Sequence, residues 1–198
     1  GLLPYASTVA KELNNSSSKI AQILYPKAKI HNIGYQDFKL PVDRKANLII
    51  GNPPYGSHSI NDKTNKELNG LMIHNYFMAK SIDNLEVGGI SAMIVSNSFL
   101  DNKDSTSREY VGKFANLVGA IRLPKGAFNN AGTEIVTDII FLQKINSTQT
   151  SNIDDWKEIG EINDTPISSY YVNNPHFLLG KWGKYGTMYR GDEPALIP

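Results

Sequence analysis

The sequence predicts an α/β protein built on a mostly parallel sheet. Three observations lead there. Short runs of strand formers alternate with helical stretches over most of the chain. Residues 46–50 (Ala-Asn-Leu-Ile-Ile) form an apolar run that closes at Gly51, the pattern of a buried parallel strand. Residues 118–123 and 135–142 read as two strands joined by a turn-rich connection too short for a helix, so they form an antiparallel pair at one edge of the sheet.

The remaining elements follow in order. Residues 5–13 are a strand candidate. Residues 16–24 are helical: Ile20, Ile23 and Leu24 keep helical spacing, serines are placed to cap the start, and Pro26 stops the run. Residues 28–33 read as a strand. Residues 57–69 are polar and aperiodic, hence a loop with the composition of a mobile one. Residues 71–85 are helical, with Ile73, Phe77, Ile82 and Leu85 on one side. Gly88 and Gly89 end that unit, and residues 90–95 form another buried strand. Residues 104–117 are expected to be helical. Beyond Lys144 the composition changes: 147–152 is a polar linker, 153–159 a short helix, and 170–198 is rich in Gly, Pro and aromatics. The chain therefore divides into residues 1–146 and a linker with C-terminal extension, 147–198. There is no internal repeat.

Composition narrows the function. The 198 residues are 40% hydrophobic and 20% charged, ordinary for a globular protein. No apolar run reaches the roughly 18–20 residues of a membrane span, and nothing at the start reads as a secretory signal, so the cytoplasm is the expected location. The absence of cysteine excludes disulfides and thiolate metal sites. His31, His58, His74 and His176 have no ligand spacing, so no metal is expected. No phosphate-cradling Gly-Lys-Ser/Thr loop is present. The net charge of +1 does not by itself argue for nucleic acid; any DNA contact must rest on local charge or on another part of the protein.

The chemistry concentrates in Asn52-Pro53-Pro54-Tyr55, directly after the apolar strand. Ligands of open parallel sheets bind at the carboxyl ends of strands. Two prolines fix φ and remove two donors, which leaves rigid carbonyl acceptors. A planar amino group has two hydrogens and needs two acceptors; the Asn52 side-chain oxygen and the Pro53 carbonyl suit it. Tyr55 offers a flat face to a base, worth about 1–3 kcal/mol. The same four residues also suit a simple turn after a strand.

This tetrapeptide resembles the signature of the amino-methyltransferase family, Asn/Asp-Pro-Pro-Tyr/Phe, and more closely that of its adenine-N6 DNA branch. The resemblance covers residues 5–145. It implies a Rossmann-like methyltransferase sheet whose last strand is inserted antiparallel, S-adenosylmethionine as donor, and an adenine flipped out of the duplex. It also implies further site residues. Val9 to Leu13 resembles the second strand of the family, whose acidic end holds the donor ribose; Glu12 takes that role. Gly34 to Phe38 resembles the segment after the third strand, with Asp37 accepting from the donor adenine and Phe38 packing on it. His74 to Lys80 resembles the helix after the catalytic loop, with Phe77 lining the donor pocket. Asn130 to Lys144 resembles the terminal strand pair, and Phe141 or Phe128 stacks on the far side of the flipped base. The first strand of the family and its Gly-rich turn have no counterpart, so the catalytic domain is expected to be partial. Further domains or subunits are expected to supply sequence recognition. The functions that remain are site-specific DNA adenine-N6 methylation, methylation of a protein glutamine amide, and a non-catalytic remnant that binds DNA or a partner.

Overall fold

A computed structural model describes residues 7–56, 58–128, 135–187 and 190–198, the side chains of 184–187 and 190–195 excepted. Residues 5 and 6 of the first expected strand, Ser57, and the segment 130–133 lie outside the described residues.

Strand β1 (Val9–Lys11) leads into helix α1 (Asn15–Leu24), and β2 (Lys29–His31) returns parallel to β1. The Asn14 side chain caps α1 by accepting from Ser17 N at 3.0 Å. Strand β3 (Ala46–Gly51) follows, then helix α2 (Ile73–Asn84), which runs directly into β4 (Leu85–Ser96). Helices α3 (Ser98–Asp101) and α4 (Thr106–Gly112) lead to β5 (Ala115–Arg122), and β6 (Thr137–Lys144) closes the main sheet. Strands β7 (Ile159–Ile162) and β8 (Thr165–Ser168), helix α5 (Ser169–Asn173), and the hairpin of β9 (Lys181–Thr187) and β10 (Arg190–Ile197) complete the chain.

The main sheet has the order β3-β4-β6-β5. β3 is parallel to β4, and β6 is antiparallel to both β4 and β5. Three of the four strands therefore point one way. The antiparallel pair predicted at one side is β5–β6, with β5 as the edge and β6 one place inward. Gly88, at φ +84°, makes the bulge that lets β4 leave α2 without a loop. At Gly89 a Cβ would lie 2.9 Å from the Ala46 carbonyl oxygen, so only glycine permits that approach.

One face of the sheet forms the core. Ser91, Met93 and Val95 of β4 alternate inward, beside Ile140 and Leu142 of β6 and Leu117 and Ala120 of β5. Helix α2 is buried on nearly every side rather than on one stripe: Ile73, Tyr76, Ala79, Lys80 and Asn84 are all buried. The expected one-sided helix is thus an interior one, because the loop before it and the segment after β2 cover its outer face.

Several expectations need correction. β3 is not buried on both faces: Leu48 is 43% and Ile50 72% exposed. Its outer edge has no strand partner among the described residues, and the β1–β2 pair forms a separate sheet. Ile20, Ile23 and Leu24 of α1 are exposed for the same reason, since α1 has too little sheet to pack on. The helix expected over 104–117 is only Thr106–Gly112, because residues from Ala115 onward pair with β6. Residues 153–159 are a single turn, Ile153–Asp155, followed by a strand. The Trp156 side chain is fully buried there and donates to Asn152 Oδ1 at 3.1 Å. Trp156, Ile167, Tyr170 and Tyr171 belong to the same core cluster as the sheet, so much of 147–198 packs against residues 1–146.

A buried ion triad ties these parts together. Arg122 on β5 meets Asp138 on β6 at 2.9 Å and Asp101 on α3 at 2.7 Å, over the Tyr171 ring at 4.6 Å. Burial alone would lower the guanidinium, but the two carboxylates outweigh it and hold Arg122 well above its ordinary value. Asp101 also accepts from Ser168 N at 3.0 Å. Arg122→Met is expected to destabilise the fold by about 3–5 kcal/mol, because it strands buried carboxylates. Urea unfolding measures this; a loss below about 1 kcal/mol, the scale of a surface pair, would contradict the triad's role.

Candidate active site

Parallel pairing with β4 fixes where β3 ends. Gly51 lies beside Met93, and Asn52-Pro53-Pro54-Tyr55 leaves the sheet at its carboxyl edge. Pro53 is buried and anchors the turn, while Asn52 and Pro54 are exposed and Tyr55 is half-buried. The Tyr55 hydroxyl donates to Asn52 Oδ1 at 3.0 Å. Burial raises the Tyr55 phenol, so it remains a protonated donor near neutral pH. The Asn52 side-chain oxygen is thus held by the tyrosine of its own turn.

Helix α2 begins next to this turn: an added Cβ at Gly56 would lie 4.0 Å from Ile73 Cγ2. His74, in the first turn of α2, is 3% exposed, and its Nε2 lies 3.1 Å from Ser98 Oγ at the start of α3. Burial lowers His74 below its ordinary value of 6.5. Asn75 donates to Ser107 Oγ at 2.9 Å. The start of α2 is therefore pinned to the segments beyond β4.

Of the residues expected at the donor, Glu12 directly follows β1, Asp37 and Phe38 lie beyond β2, and Phe77 is on α2. Glu12 N donates to His31 O at 3.1 Å, so Glu12 closes the β1–β2 ladder. Its carboxylate accepts from Asn14 N at 2.7 Å, one oxygen serving the start of α1. Asp37 ends a short helical turn, Tyr35–Asp37, and is exposed. Phe38 follows it, half-buried, with Lys11 Nζ 3.4 Å from its ring centre. One face of Phe38 is thus occupied by a cation, and burial lowers Lys11 to about 8. Phe77 is partly buried and stacks on Tyr35 at 4.8 Å and 14°. That contact brings α2 beside the Gly34 to Phe38 segment.

The two aromatics considered for the far side of a base separate clearly. Phe141 pairs with Ala92 and Gly119, and Ala92 pairs with Ile50. It stands in the body of the sheet, level with a residue before the tetrapeptide. Phe128 lies in the turn after β5, beyond the carboxyl end of that strand.

S-adenosylmethionine can be tested against these groups. An acid at the end of β1, an exposed acid after β2 and an aromatic neighbour fit the ribose and adenine portions. No described residue forms the Gly-rich turn that the methionine portion requires. Among the described residues no group of three His, Asp or Glu could hold a metal ion, and no helix is long and apolar enough to cross a membrane.

Sequence reasoning missed Lys11, Asp62 and Lys80. Residues 58–69, read as a loop of mobile composition, are organised around the fully buried Asp62. The available signal was Lys80 itself. It directly follows the run Tyr76-Phe77-Met78-Ala79, where a buried cation requires a partner.

Comparison with known proteins adds the family. The sequence pattern of the Eco57I restriction-modification methylase family matches residues 6–122, more than half of the chain. The chain is 24% identical over 176 residues to the Defense against restriction protein B of Escherichia phage P1, covering 87% of this chain and 8% of that protein. A modification subunit assigned to a type I restriction enzyme of Vibrio vulnificus YJ016 superposes with a TM-score of 0.62 at 18% identity, over 76% of this chain and 34% of that subunit. A protein of Listeria monocytogenes assigned as a class I S-adenosylmethionine-dependent methyltransferase gives 0.59 at 15% identity, over 73% and 46%. These likenesses show the fold, that of class I S-adenosylmethionine-dependent methyltransferases. The chain spans less than half the length of each of these three proteins.

The buried His74 makes stability depend on pH. Its folded value lies below 6.5, so the unfolded chain binds the proton more readily. Its contribution is complete above about pH 6.5 and declines as the pH falls through the folded value. Urea midpoints taken at about pH 7.5 and about pH 5.5 should differ, and His74→Gln should remove much of the difference. An unchanged pH dependence in that variant would contradict the assignment.

Proposed function

The chain belongs to the Eco57I restriction-modification methylase family, and we propose that it is part of a site-specific DNA methyltransferase that transfers a methyl group to the N6 amino nitrogen of a flipped adenine. The observation that carries this reading is Asn52-Pro53-Pro54-Tyr55 at the carboxyl end of β3, with an exposed Asn52 in reach of Tyr55.

The residues act by position rather than by forming a bond to substrate. Asn52 Oδ1 and the Pro53 carbonyl accept the two amino hydrogens. This draws electron density onto the nitrogen and favours the tetrahedral geometry it needs to attack. Tyr55 releases Asn52 and stacks on the base. S-adenosylmethionine, when bound, supplies the electrophilic methyl group. Glu12 orients the ribose, Asp37 accepts from the donor adenine, and Phe38 and Phe77 form the apolar wall; Lys11 shifts off the Phe38 face to admit the ring. Phe128 covers the far side of the flipped base, which its place after β5 favours over Phe141.

In this reading residues 1–146 are part of the catalytic domain and 147–198 an extension packed on it. A strand and Gly-rich turn from elsewhere in the parent protein occupy the open edge of β3. Further domains or subunits supply DNA recognition, no metal takes part, and the protein acts in the cytoplasm.

The test uses the intact natural protein and labelled donor. Asn52→Ala should reduce methyl transfer to DNA by at least about a hundredfold with little change in the urea midpoint. Full activity in that variant rules out the mechanism. Tyr55→Phe keeps the stacking face and frees Asn52, so turnover should stay within about tenfold of wild type, whereas Tyr55→Ala removes roughly 1–3 kcal/mol of base stacking. Equal losses in the two tyrosine variants would contradict the stacking role.

A further inference from the structure

Besides the Arg122 triad, the proposed reaction leaves unused a buried polar cluster around Asp62 and Lys80. Asp62 is 0% and Lys80 2% exposed, and the two form an ion pair. Such a pair adds little net stability, because desolvation offsets the attraction and apolar residues would fill the space as well. Its value must be sought in what it connects.

The Asp62 carboxylate gathers its own loop. Oδ1 accepts from Thr64 N at 2.7 Å, Thr64 Oγ1 at 2.6 Å and Asn65 N at 3.0 Å. Oδ2 accepts from the Tyr76 hydroxyl at 2.8 Å and from Lys80. Burial would raise this carboxyl, but the donors from Lys80, Thr64 and Tyr76 prevail and hold it well below the ordinary carboxylate range. The Lys80 ammonium also reaches Thr64 Oγ1 at 3.1 Å and the Gln36 carbonyl at 3.4 Å.

Three segments therefore meet at one ammonium. The loop 58–69 follows the tetrapeptide and returns to α2 through the Ser59–Met72 bridge. Helix α2 supplies Tyr76 and Lys80. Gln36 lies in the turn that carries Asp37, directly before Phe38. A second tie supports the arrangement, since Asn65 donates to Asp83 Oδ2 at 2.8 Å.

We infer that the Asp62–Lys80 pair is a positioning lock that holds the loop following Asn52 to Tyr55 at a fixed distance from the Gly34 to Phe38 segment. Its consequence for catalysis rests on the methyl-transfer reading; its geometry does not. In that reading Lys80 keeps the base side and the donor side in register, and a displacement of about 1 Å between reacting groups costs on the order of a hundredfold in rate.

The test is the double variant Asp62→Asn with Lys80→Met in the intact natural protein, which leaves no unpaired buried charge. Its urea midpoint should stay near that of wild type. Amide hydrogen exchange should accelerate in residues 34–38 and 58–69 together, by about tenfold or more. Single-turnover methyl transfer to DNA should fall on the order of tenfold to a hundredfold while the calorimetric donor Kd changes less than about twofold. Thr64→Val is the milder form, because it removes one contact to each partner and keeps the charges paired; both segments should loosen by a smaller factor. Acceleration in 58–69 alone, or in neither segment, overturns the lock whether or not the protein methylates DNA. Loosening of both segments with an unchanged rate overturns its positioning role. Absence of methyl transfer by the wild-type protein overturns the proposed function, and the exchange result then decides the lock by itself.

Discussion

Strand β4 is paired along both edges, and its two registers set the position of the Asn52 to Tyr55 turn and of Asp138. Parallel pairing with β3 places Gly51 beside Met93, so the tetrapeptide emerges at the same end as α3, which carries Ser98. Antiparallel pairing with β6 places Asp138 beside Val95, which brings it under Arg122 of β5. A slip of one residue would turn Ser91, Met93 and Val95 out of the core and separate both groups. The direct passage from α2 into β4 through the Gly88 bulge then fixes the start of α2 over the tetrapeptide turn.

The parts of this arrangement that depend on local pattern were legible in the sequence. The apolar run before Asn52, residues 90–95 and the strongly β-branched run around Ile139 all gave strands of the right type, whereas Gly88 and Gly89, read as the end of the helical unit, lie inside β4. The Asn-Pro-Pro-Tyr tetrapeptide carried its chemistry in its residue types. The parts that depend on distant partners were not legible. Residues 58–69 look like solvated loop until Asp62 meets Lys80, eighteen positions away. Residues 153–159 look helical until Trp156 is drawn into the core beside Phe99. The same limit applies to β3, whose apolar run forecasts cover on both faces; the composition of a strand reports how much surface it needs to bury, not which neighbours are at hand.

The donor side shows how far the residues at hand extend. Glu12 directly follows β1, and Asp37 and Phe38 lie beyond β2 in and after the turn Tyr35–Asp37; these are the groups to which the proposed reading gives the donor adenosine. Two of them are engaged internally, Glu12 with the start of α1 and Phe38 with Lys11. Tyr55 likewise holds Asn52. On the proposed reading each of these contacts is exchanged for a ligand contact of the same kind: a carboxylate keeps a donor, a ring face keeps a partner, and the Asn52 oxygen keeps a hydrogen bond. Such exchange costs less than creating polar contacts anew, because no buried polar group is left unpaired on the way.

On the proposed reading, the amino group that Asn52 and Pro53 hold is that of adenine in DNA. The most direct measurement incubates the intact natural protein with methyl-labelled S-adenosylmethionine and unmethylated duplex DNA, digests the DNA to nucleosides, and identifies the labelled product. Label is expected in N6-methyldeoxyadenosine, reduced by at least about a hundredfold in Asn52→Ala. Label found instead on a glutamine of a protein substrate, or donor binding with none transferred to DNA, would contradict this reading.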